Sequence, residues 1–153
     1  MTNSAQTLKE SGFKVTPARQ AILSVFAEQH EPIDAEFIFK YIQRAEKNTT
    51  RTGAAKDINL VTIYRTLTSL EKAGIVKRVD LRKGSISYEL ADTHHHHIVC
   101  TSCGCIEDFD MCEVEGVARA VLKNSKNFIQ VSQHSFELFG TCKKCANKAV
   151  GKK

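Results

Sequence analysis

Two pairs of cysteines carry the spacing of metal ligands. Cys100 and Cys103 are separated by two residues, and Cys142 and Cys145 repeat this arrangement. Two residues between thiols allow both to bind one ion, and four thiolates suit tetrahedral Zn²⁺. The separation of the two pairs exceeds that of a simple zinc ribbon. The sequence therefore predicts a structural zinc site that ties the start of a domain to its end and helps it to fold.

Other chemistries of these cysteines are alternatives: an iron–sulfur cluster, a redox dithiol or free buried thiols. The chain has six cysteines, and a disulfide framework is not expected because cytosolic thiols stay reduced. Cys105 and Cys112 lie outside the two pairs. We expect them to be plain buried thiols, with a sensor role as the alternative.

A run of four histidines, residues 94–97, directly precedes the first cysteine pair. In an extended segment alternate side chains point to opposite sides, so His94 and His96 would face one way and His95 and His97 the other. One run can thus contribute to two metal sites, and further candidate ligands are Glu89, Asp108, Glu115 and His134. Imidazole and carboxylate ligands suit Fe²⁺, Mn²⁺ or Zn²⁺ and bind less tightly than four thiolates. The alternative is a surface run with incidental metal affinity.

The two halves of the chain differ in composition. Residues 1–90 contain no cysteine and one histidine, His30, which we expect at the surface. All six cysteines and the other five histidines follow residue 93. We therefore predict a domain over 1–90, a hinge over 91–93 and a metal-binding domain over 94–153.

Helices dominate the first half. Thr16 followed by Pro17 is a helix start, and Asp34 and Asn59 are caps for two further helices. Gly74 fits the end of the third helix, and the polar segment 46–57 is predicted to be a flexible loop. Apolar residues recur at helical spacing after each start, with buried faces predicted as Ala18, Ala21, Ile22, Val25 and Phe26, then Ile38, Tyr41, Ile42 and Ala45, then Leu60, Ile63, Leu67 and Leu70.

Periodicity changes from helical to alternating after Gly74. Segments 75–81 and 85–90 predict two strands, joined by the basic turn Arg82-Lys83-Gly84. Helices followed by a hairpin with a basic tip indicate a winged helix-turn-helix. In the second half we predict strands over 98–100, 105–110 and 128–139 and a helix over 113–123, whose buried face is Val114, Val117, Ala118, Val121 and Leu122. The predicted fold class is α+β.

The third helix has the features of a DNA-reading helix. Arg65 lies opposite its apolar face, with Thr62 on the same exposed side and Tyr64 at its edge. Arginine can bind guanine, and tyrosine or threonine can contact a thymine methyl group. Candidate phosphate contacts are Lys14, Arg19, Arg82 and Lys83. The net charge of +5 is compatible with nucleic acid, and an ordinary solvated helix face is the alternative.

Several motifs occur together in a specific order. They are the segments 12–19, 61–65, 88–90, 94–100 and 133–140 with the two cysteine pairs. Through them the chain, from Gly12 to Cys145, resembles the ferric uptake regulator family of metal-dependent repressors. The resemblance implies a homodimer, or a higher assembly on DNA, with an N-terminal winged helix and a C-terminal α/β dimerisation domain. It also implies repression of AT-rich inverted repeats in double-stranded DNA, and it implies no enzyme activity.

The resemblance also assigns residues. It implies structural zinc at the two cysteine pairs. It implies DNA contacts by Lys14, Arg19, Tyr64 and Arg65. A regulatory site, for Fe²⁺ or another divalent metal such as Mn²⁺ or Zn²⁺, maps onto Glu89, His95 and His97 with Asp108. A second site in the dimerisation domain maps onto His94, His96, Glu115 and His134, and His96 stands where many members carry aspartate.

The sequence departs from the family pattern in two places. The loop around 44–56 is longer than usual, and Pro32 stands where many members supply a metal ligand. Either His30, two residues away, reaches the regulatory site through a shifted loop, or that site has lost one ligand. Within the family, the alternatives to iron sensing are zinc-uptake regulation and peroxide sensing. Outside it, the alternative is a metal-dependent hydrolase or a zinc store without DNA binding. Because the sequence shows neither a signal peptide nor a membrane span, we expect a cytoplasmic protein with no membrane partner.

Overall fold

The computed structural model describes residues 4–47, 58–92 and 94–150. It divides into two compact units, Met1–Thr93 and His94–Lys153. Each unit combines helices with a three-stranded sheet, which confirms the predicted α+β class. Among the helices of the described ranges, none combines the length and apolar character needed to cross a membrane.

The first unit begins with helices and ends in a hairpin. Its elements are α1 (Ser4–Glu10), α2 (Pro17–Glu28), β1 (Ile33–Asp34), α3 (Ala35–Lys47), α4 (Leu60–Lys72), β2 (Val76–Val79) and β3 (Ser87–Leu90). The sheet order is β1-β3-β2, and both pairings are antiparallel. The core lies between the helices and this sheet and includes Leu8, Ile22, Ile38, Ile63, Leu67 and Leu70.

The predicted helix caps are confirmed. Thr16 Oγ1 accepts a hydrogen bond from Arg19 N, and Asn59 Oδ1 accepts one from Thr62 N at 2.8 Å. Asp34 Oδ1 accepts from Phe37 N at 2.8 Å, while its Oδ2 accepts from Ser85 Oγ at 2.7 Å. The bonds from Arg19 N, Phe37 N and Thr62 N satisfy backbone donors that the first helical turn leaves without partners.

Two elements of the first unit were not predicted. Helix α1 has too few apolar residues to show a periodic face, although Leu8 is fully buried. After α1 the chain turns at Gly12, whose φ is 75°, with Phe13 N donating to Leu8 O. Gly74 ends α4 in the same way, with φ 68° and Ile75 N donating to Leu70 O. Strand β1 has two residues, too short for an alternating pattern.

Some predicted features of this unit lie outside the described residues. Helix α3 extends to Lys47, into the start of the predicted loop, and positions 48–57 are not described. Residue 93 of the predicted hinge is not described either. Within α3, Ala45 is exposed rather than part of the buried face, because the helix has passed the end of the core there.

The second unit is built on one sheet. Its elements are β4 (His96–Cys100), β5 (Ile106–Phe109), α5 (Val114–Asn124), β6 (Glu137–Gly140) and α6 (Lys143–Val150). Strand β4 is central, antiparallel to β5 and parallel to β6. The prediction of a strand over 128–139 is wrong except at its end. Ser125 Oγ accepts hydrogen bonds from Asn127 N and Phe128 N, so the chain turns after α5 instead of extending.

Helix α5 has the predicted position but not the predicted burial. None of its residues is buried in the single chain, and Val117 and Val121 are exposed. A helix with an apolar stripe normally buries that stripe against another element. Helix α6 was not predicted, because it begins at the second cysteine pair and is largely polar.

Candidate metal centres and nucleic-acid interface

The parallel pairing of β4 and β6 brings the two cysteine pairs to the same end of the sheet. Cys100 is the last residue of β4 and is in register with Gly140, the last residue of β6. Thr101 N donates to Gly140 O at 2.8 Å, which extends the pairing beyond the strand. Cys142 follows two residues later, and its turn into α6 carries Cys145.

The sulfur positions fit a tetrahedral ion. Cys103 Sγ and Cys142 Sγ lie 3.7 Å apart. Four sulfurs held about 2.3 Å from one tetrahedral Zn²⁺ would be separated by about 3.8 Å. One group of sulfurs within 4.8 Å of one another contains Cys105 in place of the predicted Cys145; its members are Cys100, Cys103, Cys105 and Cys142. The thiol of Cys145 hydrogen-bonds with those of Cys103 and Cys142. The donor set and its spacing therefore fit Zn²⁺.

Backbone amides prepare part of this group for metal binding. Cys142 N donates to Cys100 Sγ at 3.3 Å. That bond, followed by those from Cys103 and Ser102, lowers the pKa of Cys100 to about 5. The backbone N–H of Cys145 likewise lowers the pKa of Cys142. Hydrogen bonding to the thiol of Cys103 raises the pKa of Cys145 to about 12. The lowered pKa values of Cys100 and Cys142 favour the thiolate form, which is the form that binds Zn²⁺.

Cys105 was predicted to be a plain buried thiol, and this is wrong. It is exposed and belongs to the sulfur group, where hydrogen bonds with Cys103 and Cys142 raise its pKa to about 12. Gly104, with φ 73°, reverses the chain, and Cys100 N then donates to Cys105 O. The sequence signal was the glycine directly after Cys103, which allows this turn.

The second histidine set lies within the second unit. His94, His96 and His134 come together with Cys112, and their ligand atoms all lie within 4.8 Å of one another. Ring centroids are 4.9 Å apart for His94 and His96 and 5.2 Å for His94 and His134. The predicted carboxylate ligand, Glu115, is exposed in the first turn of α5. Cys112 was expected to be a plain buried thiol, but it is half-buried in this group.

The other two histidines of the run form a separate pair. The ring centroids of His95 and His97 are 5.0 Å apart, which confirms the predicted alternation. His97 is buried on β4, in register with Asp108 on β5, and His97 Nε2 lies 3.6 Å from Asp108 Oδ1. Two imidazoles and a carboxylate at this spacing fit a divalent metal that accepts nitrogen and oxygen ligands.

Glu89 belongs to the first unit. On β3 it is in register with Lys77 of β2, and Lys77 Nζ lies 2.9 Å from Glu89 Oε1. This ion pair gives a buried carboxylate a counter-charge. The combination of Glu89 with His95 and His97 stays a prediction. His30 is exposed in the segment between α2 and β1.

Helix α4 exposes some of the residues that are predicted to contact DNA bases. Val61, Tyr64 and Arg65 are exposed on one side, while Ile63 and Leu67 are buried on the other. Thr62 is half-buried, and its hydroxyl and its backbone N–H both donate to Asn59 Oδ1. An exposed arginine beside a tyrosine on a helix face is suited to contacts in a DNA major groove.

Basic residues lie in two further segments of the first unit. Arg19 donates to Lys14 O at 2.8 Å and stacks over the Phe13 ring, which fixes its guanidinium close to the exposed Lys14. Arg82 and Lys83 are exposed in the turn that follows β2, where Arg82 has φ 54°. Asp80 Oδ1 accepts from Arg82 N and stabilises this turn. Both segments provide positive charge of the kind that contacts phosphates.

Comparisons with known proteins agree with these features. The model of the ferric uptake regulator family matches residues 10–139. The ferric uptake regulation protein of Neisseria meningitidis serogroup A is 34% identical over 150 residues, which are 95% of this chain and 95% of that protein.

Two solved structures extend the likeness to the fold. The ferric uptake regulator of Vibrio cholerae is 33% identical, with a TM-score of 0.66 over 90% of this chain and 98% of that one. The regulator of Helicobacter pylori is 29% identical, with a TM-score of 0.66 over 92% of this chain and 87% of that one. The structure of the Helicobacter protein reveals three functional metal-binding sites.

Proposed function

The chain belongs to the ferric uptake regulator family of metal-responsive transcriptional regulators, and on that premise we propose that it is an iron-dependent repressor. It acts in the cytoplasm as a homodimer, and it binds AT-rich inverted-repeat operators in double-stranded DNA. The observation that carries this proposal is the histidine run at β4, which supplies ligands to two separate groups.

Structural zinc is assigned to Cys100, Cys103, Cys142 and Cys145. The 3.7 Å separation of Cys103 Sγ and Cys142 Sγ supports this role. Zinc bound there would tie β4 to β6 and stabilise a small unit whose own core is limited. Its role is to hold the fold, because four protein thiolates leave no open position for a substrate.

The regulatory metal is assigned to His95, His97 and Asp108, with Glu89 as a further ligand. Imidazole and carboxylate ligands suit Fe²⁺, with Mn²⁺ and Zn²⁺ as competitors. Since Glu89 and the histidines belong to different units, a metal that uses all of them selects one arrangement of the winged helices in a dimer. That arrangement spans two half-sites on DNA. The second site is assigned to His94, His96 and His134, with Glu115 as the ligand that the resemblance implies.

The homodimer accounts for the apolar surface of the second unit. Val117 and Val121 of α5 are exposed in the single chain, and Phe128 and Ile129 are 71% and 98% exposed. Large exposed apolar patches mark sites of association. A second copy of the chain can cover this surface with the same surface of its own.

DNA recognition is assigned to Thr62, Tyr64 and Arg65 on α4, with Lys14 and Arg19 on phosphates. The exposure of Tyr64 and Arg65 beside the buried face of α4 supports this role. Phosphate contacts would make binding strongly dependent on salt concentration.

The test is fluorescence anisotropy with an AT-rich inverted-repeat duplex, without oxygen, titrating zinc-loaded protein with Fe²⁺, Mn²⁺ or Zn²⁺. We expect Fe²⁺ or Mn²⁺ to trigger salt-dependent binding. His97→Ala should abolish the metal response while zinc content and dimer mass stay unchanged. A metal response kept by His30→Ala would show that His30 is not a ligand of this site. A response to Zn²⁺ alone would show a zinc-uptake regulator instead, and no binding with any metal would contradict DNA regulation.

A further inference from the structure

We propose that Cys112 is a metal ligand, so that the second site combines three histidines with one thiolate and takes Zn²⁺ in preference to Fe²⁺ or Mn²⁺. This inference rests on the proposed function in one respect, the assignment of His94, His96 and His134 to a second metal site. It changes the fourth ligand of that site, and with it the class of metal that the site selects.

The first argument is the position of the thiol. Cys112 lies in the segment between β5 and α5, and it comes together with the three imidazoles as one compact group. His96, at the start of β4, is 95% buried, with an exposed fraction of 5%. Phe109 and Phe136 pack against its ring, with centroids 5.5 Å and 5.3 Å away. The site therefore has one wall of aromatic side chains that limits the access of water.

The second argument is a distance. Cys112 Sγ and His134 Nε2 are hydrogen-bonded at 3.6 Å. A tetrahedral Zn²⁺ with Zn–N of about 2.05 Å and Zn–S of about 2.3 Å separates nitrogen from sulfur by about 3.6 Å. The two atoms therefore already have the separation that a shared ion would give them.

The third argument concerns the competing carboxylate. Glu115 is exposed in the first turn of α5, where a negative side chain is favourable next to the positive end of the helix dipole. It therefore has a structural reason to be there without binding metal. Cys112 is half-buried and has no comparable role in capping, because α5 begins at Val114 without a side-chain cap.

The chemical consequence is selectivity. Thiolate is a soft ligand that favours Zn²⁺, whereas carboxylate favours harder ions such as Mn²⁺. A site with three imidazoles and one thiolate thus differs in preference from the His95, His97 and Asp108 group. The two halves of one histidine run would serve two different metals.

The experiment uses Co²⁺ as a spectroscopic probe in the full chain, after one equivalent of Zn²⁺ has filled the cysteine pairs. Thiolate bound to Co²⁺ gives an intense charge-transfer band in the near ultraviolet, which histidine and carboxylate ligands do not give. The titration compares the parent chain with Cys112→Ser, with Glu115→Gln, and with Cys105→Ser as the control for loss of a thiol outside the second site.

We expect the band in the parent chain, in Cys105→Ser and in Glu115→Gln, and its loss in Cys112→Ser. Competition with a chelator should show that Cys112→Ser weakens Zn²⁺ binding at the second site by at least about tenfold. If Cys112→Ser fails to fold, Cys112→Asp provides the comparison, with Co²⁺ bound but without the band. A parent spectrum without the band, or a band lost in Cys105→Ser and kept in Cys112→Ser, would overturn the proposal. No DNA is present, so this failure is distinct from a failure of the regulatory function.

Discussion

The ion pair between Lys77 and Glu89 gives a prediction about the stability of the first unit. The two residues are in register on β2 and β3, and Lys77 Nζ lies 2.9 Å from Glu89 Oε1. The side chain of Glu89 is 7% exposed and that of Lys77 is 32% exposed. Replacing Lys77 by Met removes the ammonium group and keeps the length of the side chain, so the carboxylate stays buried without this counter-charge.

The burial of the two partners sets the expected magnitude. Exposed ion pairs contribute about 0.2–1 kcal/mol, whereas breaking a fully buried pair costs about 3–5 kcal/mol. The burial of Glu89 places the cost of breaking this pair near the value for fully buried pairs. Solvent screening at the partly exposed Lys77 reduces that cost toward the value for exposed pairs. We expect Lys77→Met to lower the free energy of unfolding of the first unit by about 2 kcal/mol. For a unit of this size, the midpoint temperature should fall by about 8–16 °C.

Tyrosine fluorescence provides the assay. The chain has three tyrosines and no tryptophan, and Tyr41, Tyr64 and Tyr88 all belong to the first unit. Their emission therefore reports on the unfolding of this unit. Urea titrations are made on zinc-loaded protein without Fe²⁺ or Mn²⁺, so that no regulatory metal binds Glu89.

A double-mutant cycle decides whether the buried carboxylate causes the loss. Glu89→Gln removes the charge, and the pair Lys77→Met with Glu89→Gln should be more stable than Lys77→Met alone, because the double variant buries no carboxylate that has lost the Lys77 ammonium group. If Lys77→Met lies within about 0.5 kcal/mol of the parent, the pair behaves as an exposed one. If Glu89→Gln does not offset the loss, Lys77 stabilises the sheet by packing and the electrostatic reasoning is refuted.

Three further predictions concern other parts of the chain. Gly74→Ala should cost about 1–2 kcal/mol in the same urea assay, because the φ of 68° is unfavourable for alanine; an unchanged midpoint would contradict this. Cys142→Ser should lose the structural zinc and the helical signal of the second unit by circular dichroism, whereas Cys105→Ser should keep one zinc; the opposite result would assign Cys105 as the ligand. Burial raises the pKa of Tyr88 above its usual value of 10, so its stabilising contribution is complete below pH 10 and is lost as pH rises through the raised pKa. Between pH 9 and pH 11 the free energy of unfolding should fall less for Tyr88→Phe than for the parent. Equal decreases would contradict the link between the Tyr88 pKa and stability.

The sequence predicted most accurately the structural features that depend on residues close to one another along the chain. Thr16, Asp34 and Asn59 cap helices because each side chain reaches a backbone N–H three residues away. The alternation within the histidine run was predictable for the same reason, since an extended backbone dictates it. The hairpin of β2 and β3 followed from alternating residues on both sides of a basic turn.

Contacts between distant segments were not predictable in the same way. Cys112 meets His134 only because residues 125–136 turn back toward β4 instead of forming the expected strand. Cys105 joins the other cysteines through the turn at Gly104 and the pairing of β4 with β6. Helix α5 shows its apolar stripe in the sequence, but none of the residues of α5 is buried against the described part of the chain.

The parallel pairing of β4 with β6 also has a consequence for synthesis on the ribosome. Strand β5 follows β4 closely and can pair with it at once, but β6 ends at Gly140, 40 residues after Cys100 ends β4. At roughly 5–20 residues per second, this interval lasts about 2–8 s. During that time Cys100 and Cys103 have no second cysteine pair, and one edge of β4 has no neighbour. The nascent chain therefore passes through a stage in which its thiols are open to oxidants, to foreign metals and to other unfinished chains.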